Sequence, residues 1–377
     1  MVNVVFVGCG AALEHLYRAP LKELEGRGWL RVCALVDTTE RRRAAALGWF
    51  RHAKAFADIP AAFEAVGKLD LAIIASPPAF HAGHAAVAFE HNCHVLCEKP
   101  VAHSVAAAQK MAELARKKGR LFAVGMMRRF YPAVAVARAW AKDNAGSGPL
   151  EFVYREGSVF DWPLASASQF RRDTGGGGVL IDKGIHALDM LCHIFGSGRL
   201  LRSADDANQG GCVESNAALE LAFPGSRGFL QVSWEAPLNN GFHISSAADE
   251  LWLPISPIDA VWTRRKGNGA GWRKLEAQAC WPNDLALTRP KLFRPANFSE
   301  CILMQLVSVL RSIHLGERPI ASGADGLEVL RLVMEAYEQA TPLEQPWLPP
   351  AEQRATLASH WRSSEGVNEL SQCAGNR

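Results

Sequence analysis

Lys99 stands where a lysine could transfer a proton. It follows a short, mostly apolar run from His94 to Cys97 and then Glu98, and it precedes Pro100. Because proline cannot donate a hydrogen bond to a neighbouring strand, the pattern predicts a buried strand that ends here. Open α/β sheets bind ligands at the carboxyl ends of their strands, and a partly desolvated lysine can lose its proton near neutral pH. A surface lysine before a turn is the alternative interpretation.

Asp182 and His186 are spaced to act together. Apolar residues recur at helical spacing from Val179 to Phe195, so these two side chains, four residues apart, share one face of a predicted helix. A histidine and a carboxylate on one face can hold or move a proton at the same point. An acid that favours the helix dipole and a histidine that packs in the core are the alternatives at these positions.

A glycine turn near the amino terminus indicates nucleotide binding. An apolar run leads into Gly8, Cys9, Gly10 and Ala11 and then into a helical stretch. Two glycines let the backbone turn tightly and approach a pyrophosphate, which the free N–H groups of the helix start would bind. Leu13 occupies the position of the third glycine in the usual fingerprint, and a plain strand-to-helix turn is the alternative interpretation.

A second apolar run ends in Asp37, an acid placed to bind the 2′-hydroxyl of a ribose. Its negative charge would repel the extra phosphate of NADP, although Arg41, Arg42 and Arg43 could receive that phosphate. We therefore expect NAD as the cofactor, with NADP as the alternative.

The first half of the chain alternates apolar runs with helical stretches. One such run follows Asp70 and leads into Ser76, Pro77 and, one turn later, His81. Repeated strand–helix units of this length predict a mainly parallel sheet covered by helices. The predicted fold class is therefore α/β, with a Rossmann-type dinucleotide-binding domain over residues 1–125.

The alternation ends after Pro132, and the second half is richer in strands. A long irregular stretch contains Trp162, whose ring would suit the apolar face of a sugar. Alternating, β-branched runs between residues 213 and 262 predict an antiparallel sheet with one exposed face. We predict a substrate-binding and oligomerisation α+β domain over residues 126–341, with a mainly antiparallel, open-faced sheet, and a carboxyl-terminal tail over 342–377.

Composition excludes several classes of protein. Lys and Arg number 41 against 38 for Asp and Glu, and the net charge of +3 gives no basic face for nucleic acid. The nine cysteines lack metal-binding or disulfide spacing, so no metal site is predicted. No apolar run approaches the ~20 residues of a membrane span, and the first residues lack the features of a signal peptide. We expect no membrane association and a cytoplasmic location.

Six motifs in this chain follow one another in an order and spacing that we know from one family. They are Gly8-Cys9-Gly10; Asp37; Ser76-Pro77-Pro78 with His81; Glu98-Lys99-Pro100; Arg128-Arg129-Phe130 with Pro132; and Gly176-Gly177-Gly178 with Asp182, Gly184, His186 and Asp189. Over about residues 2–337 the chain resembles the Gfo/Idh/MocA oxidoreductases, named for glucose–fructose oxidoreductase and inositol dehydrogenase.

This resemblance implies the roles of the site residues. Lys99 would lie beside the nicotinamide, often with a cis peptide bond before Pro100, and Asp182 and His186 would belong to the substrate and acid/base site. The predicted catalytic residues are Lys99, Asp182 and His186. Predicted cofactor contacts come from Gly8, Cys9, Gly10, Ala11, Asp37, Ser76, Pro77, His81, Glu98, Lys99 and Arg129, and substrate contacts from Lys99, Arg128, Trp162, Asp182 and His186.

The predicted reaction is hydride transfer between nicotinamide and a secondary alcohol or ketone of a sugar, cyclitol or sugar derivative. The resemblance also implies a homodimer or homotetramer assembled through the open sheet face. Two alternatives stand beside this prediction: a glycosidase that uses NAD for transient oxidation, and a regulatory relative that binds the cofactor without turnover. Intact Lys99, Asp182 and His186 argue against the regulatory relative. Which of Lys99 and His186 transfers the proton is left open.

Overall fold

The computed structural model describes residues 1–163, 170–207, 213–267 and 271–343. These residues form two compact units. The first unit contains residues 1–130 and 280–327 together with Pro163, and the second contains the remaining described residues.

The two units differ from the division predicted by the sequence. The end of the first segment at Phe130 lies close to the predicted boundary at residue 125. The chain then returns to the first unit at Cys280, within the range predicted as one continuous second domain. Of the predicted tail, only Pro342 and Leu343 are described, and residues 344–377 lie outside the described residues.

The first unit is built around a six-stranded parallel sheet with the order β3-β2-β1-β4-β5-β6. Between β1 and β4 the strand order reverses, and sheets of this type bind ligands at such a switch point. Most side chains of these strands are buried, as expected for a sheet covered on both faces. The predicted parallel α/β architecture is confirmed. The strands are β1 (Val2–Val7), β2 (Leu30–Val36), β3 (Lys54–Phe56), β4 (Leu71–Ile74), β5 (His94–Cys97) and β6 (Phe122–Val124).

Five helices connect these strands, and the first continues a π-helical segment, Ala12–Tyr17. Two of them begin at capping residues that the sequence supplies. The Asp58 side chain accepts a hydrogen bond from the N–H of Ala61 at the start of α3, and Ser104 caps α5 through Ala107. The helices are α1 (Arg18–Gly26), α2 (Glu40–Trp49), α3 (Ile59–Val66), α4 (Pro78–Glu90) and α5 (Val105–Lys118).

The second unit contains a nine-stranded mixed sheet with the order β14-β13-β12-β11-β7-β10-β9-β8-β15. Its neighbouring strands are antiparallel except for β7 with β10 and β8 with β15. The predicted mainly antiparallel sheet is therefore confirmed. The strands are β7 (Leu150–Gly157), β8 (Arg199–Asp205), β9 (Asn216–Phe223), β10 (Ser226–Ser233), β11 (Gly241–Ser245), β12 (Asp249–Pro254), β13 (Ala260–Arg265), β14 (Arg273–Glu276) and β15 (Ala340–Pro342).

Three helices of the second unit precede or flank this sheet. They are α6 (Pro132–Asn144), the short α7 (Arg172–Gly175) and α8 (Ile185–Phe195). A π-helical segment, Leu180–Gly184, runs directly into α8, and α8 packs against α6. The sequence predicted one regular helix here, and the structure differs in its first turn. Such π segments are rare and often occur at functional sites.

Two long helices complete the described chain, α9 (Phe298–Leu315) and α10 (Gly323–Glu338). The Asn297 side chain caps α9 by accepting from the N–H of Glu300, and Gly316 ends it in the left-handed conformation. Among the described residues, α9 alone has the length and apolar composition of a membrane span. Most of that stretch, 61%, is buried inside the protein, as in the core helix of a globular unit.

Candidate cofactor and substrate sites

The glycine turn after β1 packs directly on the loop after β4. Gly8 has a φ of 99°, and a Cβ at this position would lie 2.6 Å from the backbone of Ala75 and Ser76. Only glycine fits both constraints. Among the described residues, no acceptor is hydrogen-bonded to the backbone N–H groups of Gly10 or Ala11. The turn therefore offers donors for a pyrophosphate at the switch point of the sheet.

Leu13, which replaces the third glycine of the usual fingerprint, is fully buried. It lies within the π-helical segment Ala12–Tyr17, not in a regular α-helical first turn. The departure from the fingerprint thus coincides with an unusual helix start and leaves the glycine turn intact.

Asp37 holds the glycine turn from the end of β2. Its Oδ2 accepts the N–H of Cys9 at 2.9 Å, and its Oδ1 accepts the N–H of Thr39 at 2.8 Å. Each oxygen keeps a second lone pair that a ribose hydroxyl could use. Arg43 donates to the carbonyl oxygen of Asp37 at 2.7 Å, and a terminal nitrogen of Arg42 lies 3.9 Å from Oδ2. The carboxylate and both arginines therefore surround the position predicted for the ribose.

His81 joins the loop after β4 to the turn that follows Lys99. Its Nδ1 lies 2.9 Å from the carbonyl oxygen of Pro100, and its Nε2 lies 2.6 Å from that of Ser76. Burial lowers the pKa of His81 to about 4, and the hydrogen bonds with the carbonyls of Ser76 and Pro100 oppose this shift. The side chain is 1% exposed. His81 therefore joins these two loops, and its predicted cofactor contact stays a prediction.

Glu98 anchors the loop that carries Lys99. Its carboxylate accepts hydrogen bonds from the Tyr17 hydroxyl and, at 3.1 Å, from the N–H of Lys99. Gln305 of α9 donates to the Tyr17 oxygen at 3.0 Å. A Cβ on Gly125 would lie 2.6 Å from the Glu98 carboxylate, so glycine is required there as well. Burial raises the pKa of Glu98. The peptide bond after Lys99 is cis, as the resemblance implies.

Arg128 and Arg129 lie in a short 3₁₀ turn and are both largely buried. Arg129 donates to the carbonyl oxygen of Ile320 at 2.8 Å and pairs with Asp325 at 3.2 Å. These contacts hold the loop before α10 against the turn. The position of Arg129 is thus explained by packing within the first unit, and its predicted cofactor contact stays a prediction, as does the substrate contact of Arg128.

The helix of the second unit presents only part of its surface. From residues 180 to 191, every residue is buried except Asp182, Lys183 and His186, which are partly exposed. Asp189, the other acid of the motif, is 1% exposed and lies inside. The structure therefore leaves the predicted pair accessible on an otherwise buried helix.

Lys183, between the two predicted catalytic residues, ties the helix to the sheet. Its Nζ donates to the Oγ of Ser158 at 2.5 Å. Ser158 directly follows β7. The hydrogen bond to Ser158 gives Lys183 a structural role that the sequence pattern did not predict.

Trp234 was missed by the sequence analysis, although it contacts a predicted catalytic residue. Its indole N–H donates to Oδ2 of Asp182 at 3.1 Å. The ring also packs edge-on against Phe160 and Phe170, with centroids 5.1 and 5.8 Å away. The aromatic group beside Asp182 is therefore the cluster of Trp234, Phe160 and Phe170. Trp162, which the sequence predicts to contact substrate, is 37% exposed. The position of Trp234 directly after β10 was the only feature of the sequence that could have indicated a residue near the site.

A cavity of about 510 Å³ lies elsewhere in the first unit. Most of its lining residues lie just before or at the start of strands of the parallel sheet or at the ends of helices, which places the cavity at the amino edge of the sheet. Ligands of this architecture bind at the carboxyl edge, so we do not assign the cavity to the candidate site. Among the described residues, no group of three or more His, Cys, Asp or Glu side chains is arranged to hold a metal. The polar residues of the cavity lining are Lys68, Asp70, His91, Asn92, His94, Arg120 and His314.

Two family models match this chain. Residues 2–126 match the oxidoreductase family with an NAD-binding Rossmann fold, and residues 151–248 match the GFO/IDH/MocA C-terminal domain. Together the matches cover more than half of the chain. The protein belongs to the Gfo/Idh/MocA oxidoreductase family.

Two curated relatives are similar over different lengths. D-glucoside 3-dehydrogenase of Escherichia coli (strain K12) is 31% identical over 52% of this chain and 54% of its own length. Rhizopine catabolism protein MocA of Rhizobium meliloti is 27% identical over 72% of this chain and 76% of its own length. The chain thus spans about half the length of the first relative and three quarters of the second.

Solved structures share the fold. Levoglucosan dehydrogenase in complex with NADH and levoglucosan has a TM-score of 0.75 at 19% identity and covers 90% of this chain and 96% of its own. KijD10, a 3-ketoreductase from Actinomadura kijaniata in complex with NADP and TDP-benzene, has a TM-score of 0.73 at 18% identity, with coverages of 90% and 98%. At these identities the likeness establishes the fold.

The packing of Gly8 predicts the effect of adding one methyl group. Gly8→Ala should weaken NAD binding by roughly tenfold or more and destabilise the protein by at least ~1–2 kcal/mol, because the new Cβ meets backbone in a left-handed conformation. Titration calorimetry and thermal unfolding measure both effects. Gly48→Ala on α2, where a Cβ meets nothing within 4 Å, is the matched control and should leave NAD binding unchanged. Unchanged binding in Gly8→Ala would contradict the pyrophosphate assignment.

Proposed function

We propose that the protein is an NAD-dependent oxidoreductase that transfers a hydride between nicotinamide and a secondary alcohol or ketone of a sugar, cyclitol or sugar derivative. The observation that carries this proposal is the partly exposed set of Asp182, Lys183 and His186 on a buried helix, in a family of nicotinamide oxidoreductases. The names of similar proteins support the substrate class. They include a D-glucoside 3-dehydrogenase, an inositol 2-dehydrogenase of Acidothermus cellulolyticus and a levoglucosan dehydrogenase.

The residues of the first unit fit a dinucleotide. In this proposal the N–H groups of Gly10 and Ala11 bind the pyrophosphate, and Asp37 binds a ribose hydroxyl through the lone pairs that Cys9 and Thr39 leave unused. The bound nicotinamide supplies hydride acceptance and donation. The protein must then position the reacting carbon and move one proton to or from the hydroxyl oxygen.

Lys99 and His186 are the proposed proton-handling residues. In the oxidation direction, the alcohol loses its C–H hydrogen as hydride to the cofactor and its O–H proton to a base. One of the two side chains is proposed to accept that proton, and the other is the alternative. Asp182, held by the Trp234 indole, would orient the substrate or its neighbouring histidine.

Assembly through the nine-stranded sheet is a further part of the proposal. The strand register places Val153, Phe229 and His243 side by side across three strands, on the face away from the buried Phe152 and Phe242. All three are only partly buried. Val153 and Phe229 give this face two partly exposed apolar side chains beside His243, which pairs with Glu250, and such a mixture of apolar and polar groups is typical of an interface between subunits. We propose that a second copy of the chain covers it.

We also propose a cytoplasmic location. None of the seven cysteines among the described residues is in a disulfide, which fits a reducing compartment.

The substrate class is tested by turnover and by variants of both residues. A panel of aldoses, glucosides, inositols and their keto derivatives, read by NADH absorbance, should yield at least one oxidised or reduced ring substrate. Lys99→Ala should lower kcat by roughly 10² or more, and His186→Ala should lower kcat/KM, both without weakening NAD binding. Lys110→Ala on α5 and His193→Ala on α8 are the matched controls.

Other results of that panel would favour the alternatives. Release of an aryl leaving group from a glycoside without net NADH would indicate the NAD-dependent glycosidase. Tight NAD binding with no turnover of any compound would indicate a non-catalytic relative.

The electrostatics around Asp37 predict cofactor preference. NAD should bind tighter than NADP by roughly tenfold or more, since the added phosphate meets a carboxylate. Asp37→Asn should narrow the preference for NAD. Arg42→Ala should widen it, because Arg42 lies 3.9 Å from the carboxylate and is one of the positive charges that could receive the added phosphate. Binding titrations of the wild-type protein and both variants with NAD and NADP measure this preference. Equal affinities in the wild-type protein would defeat the assignment.

The interface proposal predicts a change in mass. Val153→Glu should shift the protein to a smaller species in light scattering, because it puts a charge at the centre of the proposed contact. Leu287→Glu, which replaces another exposed apolar residue, at 73% exposure, should not. A monomeric wild-type protein at micromolar concentration would rule the interface out.

A further inference from the structure

Glu214 is a fully buried carboxylate that the proposed reaction does not use. Its Oε1 accepts the N–H of Leu180 at 3.0 Å, and both carboxylate oxygens lie 3.0 Å from the nitrogen of Gly178. Its backbone carbonyl accepts the N–H of Val179, also at 3.0 Å. Three successive N–H groups are thus bonded to one residue more than thirty positions later in the chain.

These three N–H groups belong to the start of the helix that carries Asp182 and His186. The first N–H groups of any helix have no acceptor within the helix itself. Val179, which stands at the cap position, contributes no side-chain hydrogen bond. Glu214 therefore supplies the cap from a distant part of the fold, and its negative charge also favours the positive end of the helix dipole.

Tyr337 of α10 completes this arrangement. Its hydroxyl donates to Oε1 of Glu214 at 2.8 Å, and the guanidinium of Arg172 lies 5.2 Å from its ring centroid. Burial raises the pKa of Glu214 to about 7, the Tyr337 hydrogen bond opposes this rise, and the charge of Asp205 adds to it. Tyr337 and Asp205 are thus the titratable side chains that act on the carboxylate, and Arg172 lies over the ring of Tyr337. The contacts of Glu214 are those of a hydrogen-bond acceptor with a structural role. Its carboxylate is buried so deeply that keeping it charged costs free energy.

The same contacts explain the glycine run before the helix. A Cβ on Gly178 would lie 2.0 Å from the backbone oxygen of Glu214, and a Cβ on Gly177 would lie 2.0 Å from the Tyr337 hydroxyl oxygen. Both glycines are needed because another part of the protein occupies the space of a side chain. The run is a packed contact surface for Glu214 and Tyr337.

We propose that Glu214, supported by Tyr337, is a positioning residue for the reaction: it fixes the first turn of the helix and thereby the direction of Asp182 and His186. This inference rests on the proposed function for its kinetic part. Its structural part, the cap itself, stands on the contacts alone.

The first test compares local opening in full-length variants by hydrogen exchange and mass spectrometry. Glu214→Ala should increase exchange in peptides that cover residues 178–183, because their N–H groups lose an acceptor. Exchange in β9 and β10, which lie outside the capped segment, should stay as in the wild type. Glu220→Ala, which removes a buried glutamate of β9, is the matched control. It should not affect exchange at residues 178–183. Unchanged exchange at these residues in Glu214→Ala would overturn the cap.

The second test is kinetic and uses the ring substrate found in the panel. Glu214→Ala should lower kcat by roughly 10- to 100-fold, as small misplacements of reacting groups do, and leave the Kd for NAD unchanged. Glu214→Gln keeps an oxygen for Leu180 and Tyr337 and should restore most of the activity. Tyr337→Phe should give a smaller loss than Glu214→Ala. If Glu214→Ala fails to fold, Tyr337→Phe provides the expected loss of kcat and Glu214→Gln the control that keeps the acceptor; wild-type kcat in Tyr337→Phe would then overturn the positioning role.

The outcomes separate the two proposals. Increased exchange at residues 178–183 with wild-type kcat would overturn the positioning role and leave the proposed function standing. Equal losses of kcat and of global stability in Glu214→Ala and Glu220→Ala would also overturn it, because the effect would then be general. Absence of turnover by the wild-type protein would refute the proposed function and the positioning role together, while the exchange experiment would still decide the cap.

Discussion

A carboxylate withdrawn from water is stable only if donors replace the water, and this protein repeatedly uses backbone N–H groups of functional loops as those donors. Asp37 accepts the N–H of Cys9 in the glycine turn. Glu98 accepts the N–H of Lys99, and Glu214 accepts the N–H of Gly178. Each of these N–H groups lies at the start of a segment that is predicted to be functional. Each acid therefore fixes the backbone of a segment that is predicted to bind cofactor or substrate.

Close to each of these acids lies a glycine whose missing side chain leaves room for a neighbouring element. A Cβ on Gly8, Gly125 or Gly178 would collide with backbone or with a buried carboxylate. At these positions glycine does not confer flexibility, because the space of its side chain is already filled. The loops are closely packed parts of the structure, and one added methyl group would have to displace a neighbouring element.

Local patterns were enough to predict the strand ends and the turns. The apolar runs, the glycine turn and the breaks at proline reflect local sterics and burial, so the parallel sheet, the antiparallel sheet and the positions of Lys99 and Asp37 could be predicted from the sequence. Apolar spacing also predicted the helix with Asp182 and His186, and the resemblance to the family added the predicted role of these two residues. These predictions depend on residues a few positions apart.

The features that were missed depend on residues distant in the chain. Tyr17 and Gln305, which support Glu98, are 288 positions apart, and Trp234 reaches Asp182 from 52 positions away. The return of residues 280–327 to the first unit has the same cause, since nothing local distinguishes a helix of one unit from that of another. The contacts of His81 and Arg129 also depend on distant residues: their polar atoms bind carbonyl oxygens and an acid of their own unit, and local sequence patterns do not indicate these partners.

Rigid loops suit the proposed chemistry. Hydride transfer needs the donor and acceptor carbons within about 3–3.5 Å and aligned, and groups held in advance supply much of the rate that freely moving groups would lose to entropy. The protein must therefore hold a proton-transfer group in place without letting it become a fixed partner of the scaffold. Anchoring through the main chain suits this requirement: Glu98 accepts the N–H of Lys99, and Glu214 accepts N–H groups ahead of Asp182, so these contacts fix the backbone without using the side chains of the two residues.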